Sequence, residues 1–283
     1  MVESFRPDAG HWFSAVTVQA SDNPWTEFAD EFAQLLERRA LRGVVAISGG
    51  QGSGKSTLAN AVVHALEGLG RHAVACSIDD FYHTAASRQA LARSLHPLFA
   101  TRGVPGTHDI DLCQATLDAL LEPGEVALPA FDKGADDRVD ASAWRRVEGP
   151  MDVVILEGWC LGARAQADDD LLTPINELER LEDTDGRWRR AVNDALVGPY
   201  HTLFARFAYL LYLKVPDLDA VRRWRNDQEQ GLPTANRMSA DQITRFIQHY
   251  ERLTRWMTQD VPEIADLTLD LGEDHHIVSR SVR

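Results

Sequence analysis

The sequence predicts an α/β fold, a doubly wound and mainly parallel sheet with helices on both faces. Three observations carry that expectation. Short apolar runs recur at 44–47, 72–78, 152–156, 208–215 and 267–271. Segments with helical spacing of apolar residues alternate with them. The runs are continuously apolar rather than alternating, as strands buried on both faces must be.

The elements follow in order. Residues 24–41 read as a helix, with Asn23 as N-cap, Pro24 at the first helical position and a stripe of Trp25, Phe28, Phe32, Leu35 and Leu36. Gly43 ends it, a β-branched run follows at 44–47, and glycine-rich sequence comes next. A helical pattern over 55–68 carries Leu58, Ala61, Val62, Ala65 and Leu66. Between the strands at 72–78 and 152–156 lies loop-rich sequence with one helix near 111–121. Residues 160–205 break the rhythm with acidic, polar and helical sequence, and read as an insertion over the strand ends, where such folds place ligands. Beyond 208–215 come helical patterns near 217–230 and 239–258. Residues 1–42 are expected to form an N-terminal helical extension to one domain over 43–283.

Composition narrows the function. The 283 residues are 44% hydrophobic and 25% charged, ordinary for a globular protein. A net charge of −14 opposes binding along a nucleic acid backbone, which draws its affinity from basic surface. No segment approaches the roughly 18 unbroken apolar residues of a membrane span. Glu3, Arg6, Asp8 and His11 make the start unlike a secretory signal, so a cytoplasmic location is expected. Cys76, Cys113 and Cys160 are scattered in apolar surroundings and read as reduced core residues. Asp168, Asp169 and Asp170 read as a solvated loop, and His275 and His276 as tail residues.

One motif decides the chemistry. Gly49, Gly50, Gln51, Gly52, Ser53, Gly54, Lys55 and Ser56 fit GxxxxGK[ST] without mismatch, between a predicted strand and a predicted helix. Glycines let successive main-chain N–H groups converge on phosphate oxygens, and the helix start favours negative charge. Lys55 is expected to reach the β- and γ-phosphates of ATP and Ser56 to ligate Mg²⁺, with Thr57 completing the nucleotide site at 49–57. A phosphate site in an acidic chain requires local positive charge. The apolar strand at 152–156 runs into Glu157, an acid placed beside the loop to serve the metal directly or through a water. The run SIDDFY at 77–82 offers Asp79 and Asp80 after another strand, as a base for an attacking hydroxyl, a helix N-cap or a second metal contact.

Taken together, GxxxxGK[ST], DDFY after a strand and EG after a strand resemble the uridine kinase, pantothenate kinase and phosphoribulokinase group of P-loop small-molecule kinases. Finer motifs look most like D-glycerate 3-kinases: SIDDFY, RGVPGTHD at 102–109, FDK at 131–133 leading to Asp137 and Arg138, EGWCL at 157–161, Val192-Asn193 before Tyr200, and Trp224-Arg225 with Gln228-Glu229. The resemblance covers roughly residues 43–260. It implies a nucleoside-kinase-like fold, Mg-ATP as phosphoryl donor, a small glycerate-like acceptor, and Asp79 as catalytic base. It also implies an acceptor pocket drawing on Asp80, Tyr82, His108, Asp109, Asp132, Lys133 and Arg138, while Trp159 reads either as a cover over the acceptor or as a core residue. Lys133 or Arg138 would pair with a substrate carboxylate there. A segment at 217–235 resembles a mobile lid in which Arg225, within an arginine cluster with Arg222 and Arg223, would stabilise the transferring phosphoryl group. In one respect the chain departs from the plant type: only Gly134, Ala135 and Asp136 separate Lys133 from Asp137. Another kinase of the group, with a pantothenate, nucleoside or sugar-like acceptor, and an NTP-dependent switch or assembly protein stand as alternatives.

Overall fold

The computed structural model describes residues 25–230 and 238–283, without the side chains of Gln228 and Glu229. The expected cap at Asn23 and Pro24, the rest of the extension before Trp25, and the 231–235 part of the lid lie outside the described residues. In chain order the elements are α1 (Thr26–Arg38), β1 (Gly43–Gly49), α2 (Lys55–Gly68), β2 (Ala73–Ser77), α3 (Ala85–Ser94), α4 (Ile110–Leu121), β3 (Gly124–Leu128), β4 (Phe131–Asp132), β5 (Asp137–Arg138), β6 (Arg145–Gly149) and β7 (Val153–Gly158). There follow α5 (Glu177–Glu182), α6 (Arg187–Val197), α7 (Pro199–Phe204), β8 (Phe207–Lys214), α8 (Leu218–Gln230), α9 (Ala240–Asp260), β9 (Leu267–Leu271) and β10 (Ile277–Val282).

Six strands form one sheet in the order β10-β9-β8-β1-β7-β2, parallel except for β10, which runs antiparallel to β9. β1 lies between β7 and β8, and all its residues after Gly43 are buried. Each face of the sheet carries its own apolar core. On one face Val45, Ile47, Ile155 and Leu211 pack with Leu58 and Val62 of α2 and with Phe28, Phe32 and Leu36 of α1. On the other, Ala46, Val154, Leu156 and Tyr212 pack with Cys113 and Leu117 of α4 and with Leu253 and Met257 of α9. Full burial of a large apolar side chain contributes about 1.5–3 kcal/mol. The apolar stripe of α1 therefore belongs to the same core as the strands, and all three cysteines are buried.

The continuously apolar runs became the parallel strands, while the weakly patterned ones escaped notice. β10 is an exposed edge whose sequence, IVSRSV, offers no buried run. The loop-rich stretch before β7 contains two antiparallel pairs, β4 with β5 across a short turn and, enclosing them in sequence, β3 with β6. Among the described residues no helix is long and apolar enough to cross a membrane.

Candidate active site

The glycine-rich motif occupies the turn from β1 into α2. Gly54 is the N-cap of α2, with φ +87° and no side-chain cap, so the first-turn N–H groups are left to an anion. Gly52 has φ +80°, and a Cβ there would lie 2.6 Å from Cβ of Trp224 on α8; at Gly54 it would lie 2.7 Å from Nε1 of Trp25. Any side chain at either position would both strain the backbone and collide. Lys55 Nζ donates to the Gly50 carbonyl at 2.9 Å, folding the ammonium across the loop. Burial pushes this ammonium below its ordinary range, with Glu157 and Asp79 pulling in the opposite direction. The Ser53 hydroxyl is buried without a protein partner, an orphan that suits an anionic ligand.

Parallel pairing sets the next residue. β7 runs beside β1 with Ile47 opposite Glu157, so the carboxylate emerges at the strand end next to the loop. Ser56 Oγ donates to Glu157 Oε1 at 2.7 Å. A hydroxyl and a carboxylate joined in this way are hard oxygen donors that suit Mg²⁺.

Lys55, Ser56 and Gly52 stand between two cavities. The inner one, about 200 Å³, is also lined by Gln51, Asp79, Tyr82, Lys133, Glu157, Trp159 and Arg225. Asp79 sits in the short 3₁₀ turn after β2, and its Oδ2 accepts from Lys133 Nζ at 2.7 Å. Burial pushes the Asp79 carboxyl up, but the Lys133 charge and hydrogen bond prevail and hold it below the usual carboxylate range. The Lys133 ammonium is raised in turn, chiefly by Asp79. Arg225 carries its guanidinium 5.0 Å from the centre of the Phe246 ring. Trp159 donates from Nε1 to the Gly103 carbonyl at 3.0 Å and meets Tyr250 edge-on, so it both packs and lines the cavity.

Several expected pocket residues do not line this cavity, because backbone groups or neighbouring side chains hold them elsewhere. Asp80 Oδ1 accepts from the Phe131 amide at 3.4 Å, and burial raises its carboxyl to about 6. Asp109 caps α4 through the Leu112 amide and pairs with Arg138 at 3.1 Å. Arg138 also donates to the Tyr82 carbonyl, which leaves Lys133 as the hairpin cation that faces the cavity. Asp132 Oδ1 accepts from the Gly134 and Ala135 amides and braces the hairpin turn. His108 is buried, stacked at 4.3 Å on the Tyr82 ring, with Nδ1 2.5 Å from the Tyr200 hydroxyl. Burial lowers its imidazole to about 3, so it is neutral. The arginine cluster also separates: Arg222 pairs with Asp219 and Arg223 with Glu273, and only Arg225 of the three lines the cavity.

Other lining residues carried no recognisable signal. Arg102 has no assigned role inside RGVPGTHD, and Phe246 and Tyr250 fall without one in the helical pattern near 239–258. The outer cavity, about 510 Å³, is lined by Trp25, Gly54, Thr57, Asp274 and His275. His275 is not a loose tail residue. Its ring stacks 4.2 Å from Trp224, and its Nε2 lies 2.8 Å from the Gly52 carbonyl. No spacing rule links position 275 to position 52; the β9–β10 turn brings them together.

Comparison with known proteins agrees with this architecture. Residues 44–166 match the phosphoribulokinase / uridine kinase family. The uncharacterized kinase mug58 of Schizosaccharomyces pombe is 34% identical over 220 residues, covering 73% of this chain and 78% of that protein. The chloroplastic D-glycerate 3-kinase of Arabidopsis thaliana is 31% identical over 220 residues, covering 73% of this chain but only 46% of the plant enzyme. The solved structure of D-glycerate 3-kinase from Cryptococcus neoformans superposes with a TM-score of 0.74 at 26% identity, over 91% of this chain and 99% of that one. With a phosphate-binding loop at the head of α2 and a kinase relative matched over 78% of its length, this chain belongs to the phosphoribulokinase/uridine kinase family and is a P-loop kinase.

Proposed function

We propose that the chain transfers the γ-phosphoryl group of Mg-ATP to the 3-hydroxyl of D-glycerate. The observation that carries this reading is the inner cavity, where Asp79 shares one wall with Lys133 and faces the loop residues Lys55 and Ser56. The names and coverage of the two D-glycerate 3-kinases support the choice of acceptor. Residues 49–57 suit the triphosphate: an uncapped helix start, a folded-back ammonium and an orphaned Ser53 hydroxyl. Ser56 and Glu157 would hold Mg²⁺, which when bound supplies charge neutralisation across the β- and γ-phosphates.

The chain's own groups divide the remaining work. Asp79 orients the acceptor hydroxyl and receives its proton. Lys55 and Arg225 stabilise charge on the transferring group from opposite elements. Trp159, Phe246 and Tyr250 supply apolar cover that limits water. The acceptor oxygen bonds to the γ-phosphorus as the bond to the bridging oxygen breaks and ADP leaves.

The test is direct. Purified full-length protein with Mg-ATP is offered glycerate, pantothenate, a nucleoside and ribulose 5-phosphate, and ADP release and phosphorylated product are followed. Glycerate is expected to drive turnover and to yield 3-phosphoglycerate. The short connection between Lys133 and Asp137 motivates a second reading, another small acceptor in the same cavity, and turnover with a different member of the panel would select it. Failure with every acceptor would overturn both.

A further inference from the structure

The Asp79–Lys133 ion pair sets a problem for the reading just given. A base that must receive a proton holds a cation on one of its oxygens at 2.7 Å. Such a partner reduces the affinity of a carboxylate for a proton. The pair is nevertheless poised to part. The Lys133 side chain is 63% exposed and stands on the tight β4–β5 hairpin, so its long stem has room to swing. An ammonium exposed to this degree gives up such a partner at less cost than a buried one, because water and a new anion can take its place.

The surroundings show what would draw the lysine away. Arg102 lines the same cavity, and its Nη2 donates to the Lys133 carbonyl at 3.4 Å, which brings the two cations onto one wall. Arg102 also pairs with Asp136, as does the buried Arg88 at 3.0 Å. Lys133 and Arg102 therefore stand side by side on the cavity, with Asp79 and Asp136 as their carboxylate partners. An anionic acceptor group is drawn to this pair of cations, and a neutral acceptor is not.

Resting on the kinase reading above, we propose that Lys133 selects the acceptor by exchange: a carboxylate on the incoming substrate takes the Lys133 ammonium from Asp79, with Arg102 beside it. The freed Asp79 then receives the proton of the hydroxyl on the same molecule. A neutral polyol leaves Lys133 on Asp79 and the base stays occupied. The acceptor class this predicts is a small hydroxy acid. Selection comes from rate as well as binding, because the same charge that grips the substrate releases the base.

The experiment compares D-glycerate with glycerol as acceptors for the full chain, as wild type, Lys133→Met and Lys133→Arg, with ATP affinity measured by calorimetry as the control for an intact fold. Wild type is expected to favour the acid strongly. Lys133→Met is expected to shrink the ratio of kcat/KM values by about 10- to 100-fold, the scale of one charge-assisted hydrogen bond. The loss should fall on the acid, and Lys133→Arg should restore most of the ratio. An equal loss on both acceptors would overturn the proposal, because it would mean that Lys133 only orders the hairpin. So would an unchanged ratio. A wild-type protein that phosphorylates no hydroxy acid would remove the glycerate reading and this proposal together, whereas the first two outcomes remove the proposal alone.

Discussion

The two walls of the inner cavity are built in opposite ways. The wall assigned above to the nucleotide comes from one stretch, 49–57, of which Gln51, Gly52, Lys55 and Ser56 line the cavity. The facing wall gathers side chains from the turn after β2, the 102–109 loop, the β4–β5 hairpin and α9. Local backbone geometry makes the first, and tertiary packing makes the second. A site made of backbone tolerates little variation in shape, since a Cβ at Gly52 or Gly54 meets Trp224 or Trp25. A site made of converging side chains is held by hydrogen bonds behind it, such as Arg138 to the Tyr82 carbonyl and Tyr200 to His108.

That contrast predicts separable defects. The largest effect is expected for Asp79→Asn, which should lower kcat by about 10²- to 10⁴-fold while the calorimetric Kd for ATP holds. Loss of ATP binding in this variant would break the division between the walls and move Asp79 to the metal. Next comes Lys55→Ala, with kcat falling about 10²- to 10³-fold. Here ATP affinity should weaken as well, since Lys55 belongs to the nucleotide wall. Titration calorimetry and steady-state rates on the same preparation read both.

A smaller change should touch the facing wall alone. Gly103 has φ +140°, and a Cβ there would overlap the Tyr250 hydroxyl. Gly103→Ala is expected to cost about 1–3 kcal/mol of local fit, seen as roughly tenfold or more in acceptor KM with ATP KM unchanged. A matching change in ATP KM would show that the walls move together.

The smallest effect concerns stability. Burial raises the Asp80 carboxyl from 3.8 to about 6. A folded-state value above the unfolded one favours folding most at low pH, and that contribution is lost as pH rises through about 6. Asp80→Asn removes the loss, so it should raise Tm by a few degrees at pH 7 to 8, worth about 1–3 kcal/mol, with the gain vanishing near pH 4. A melting series across this range checks it. Destabilisation at pH 8 would mean that the Phe131 amide needs the Asp80 charge.

Much of the fold was legible because parallel strands buried on both faces leave continuous apolar runs, as at β1, β7 and β8. β10 and the hairpins were not, since an exposed edge needs no apolar pattern and a two-residue strand has no period. Within the site, the chemistry of the SIDDFY and FDK runs did not say that Asp79 faces the cavity while Asp80 turns to the Phe131 amide, or that Lys133 does so while Arg138 is held by the Tyr82 carbonyl. In each pair the two residues offer similar chemistry, and only their packing differs.

By itself the sequence determined the glycine-rich turn that opens α2 and the acid that ends an apolar strand. Glycine at set positions, with a lysine and a serine at the head of a helix, favours that turn locally, whereas the pairing of β7 with β1 brings Glu157 beside it. The tertiary structure alone decided the wall facing the loop, the reach of His275 back to Gly52 and the meeting of Asp79 with Lys133. Those depend on which side of a packed element each polar group emerges from, and that is fixed by the burial of its apolar neighbours across the whole sheet.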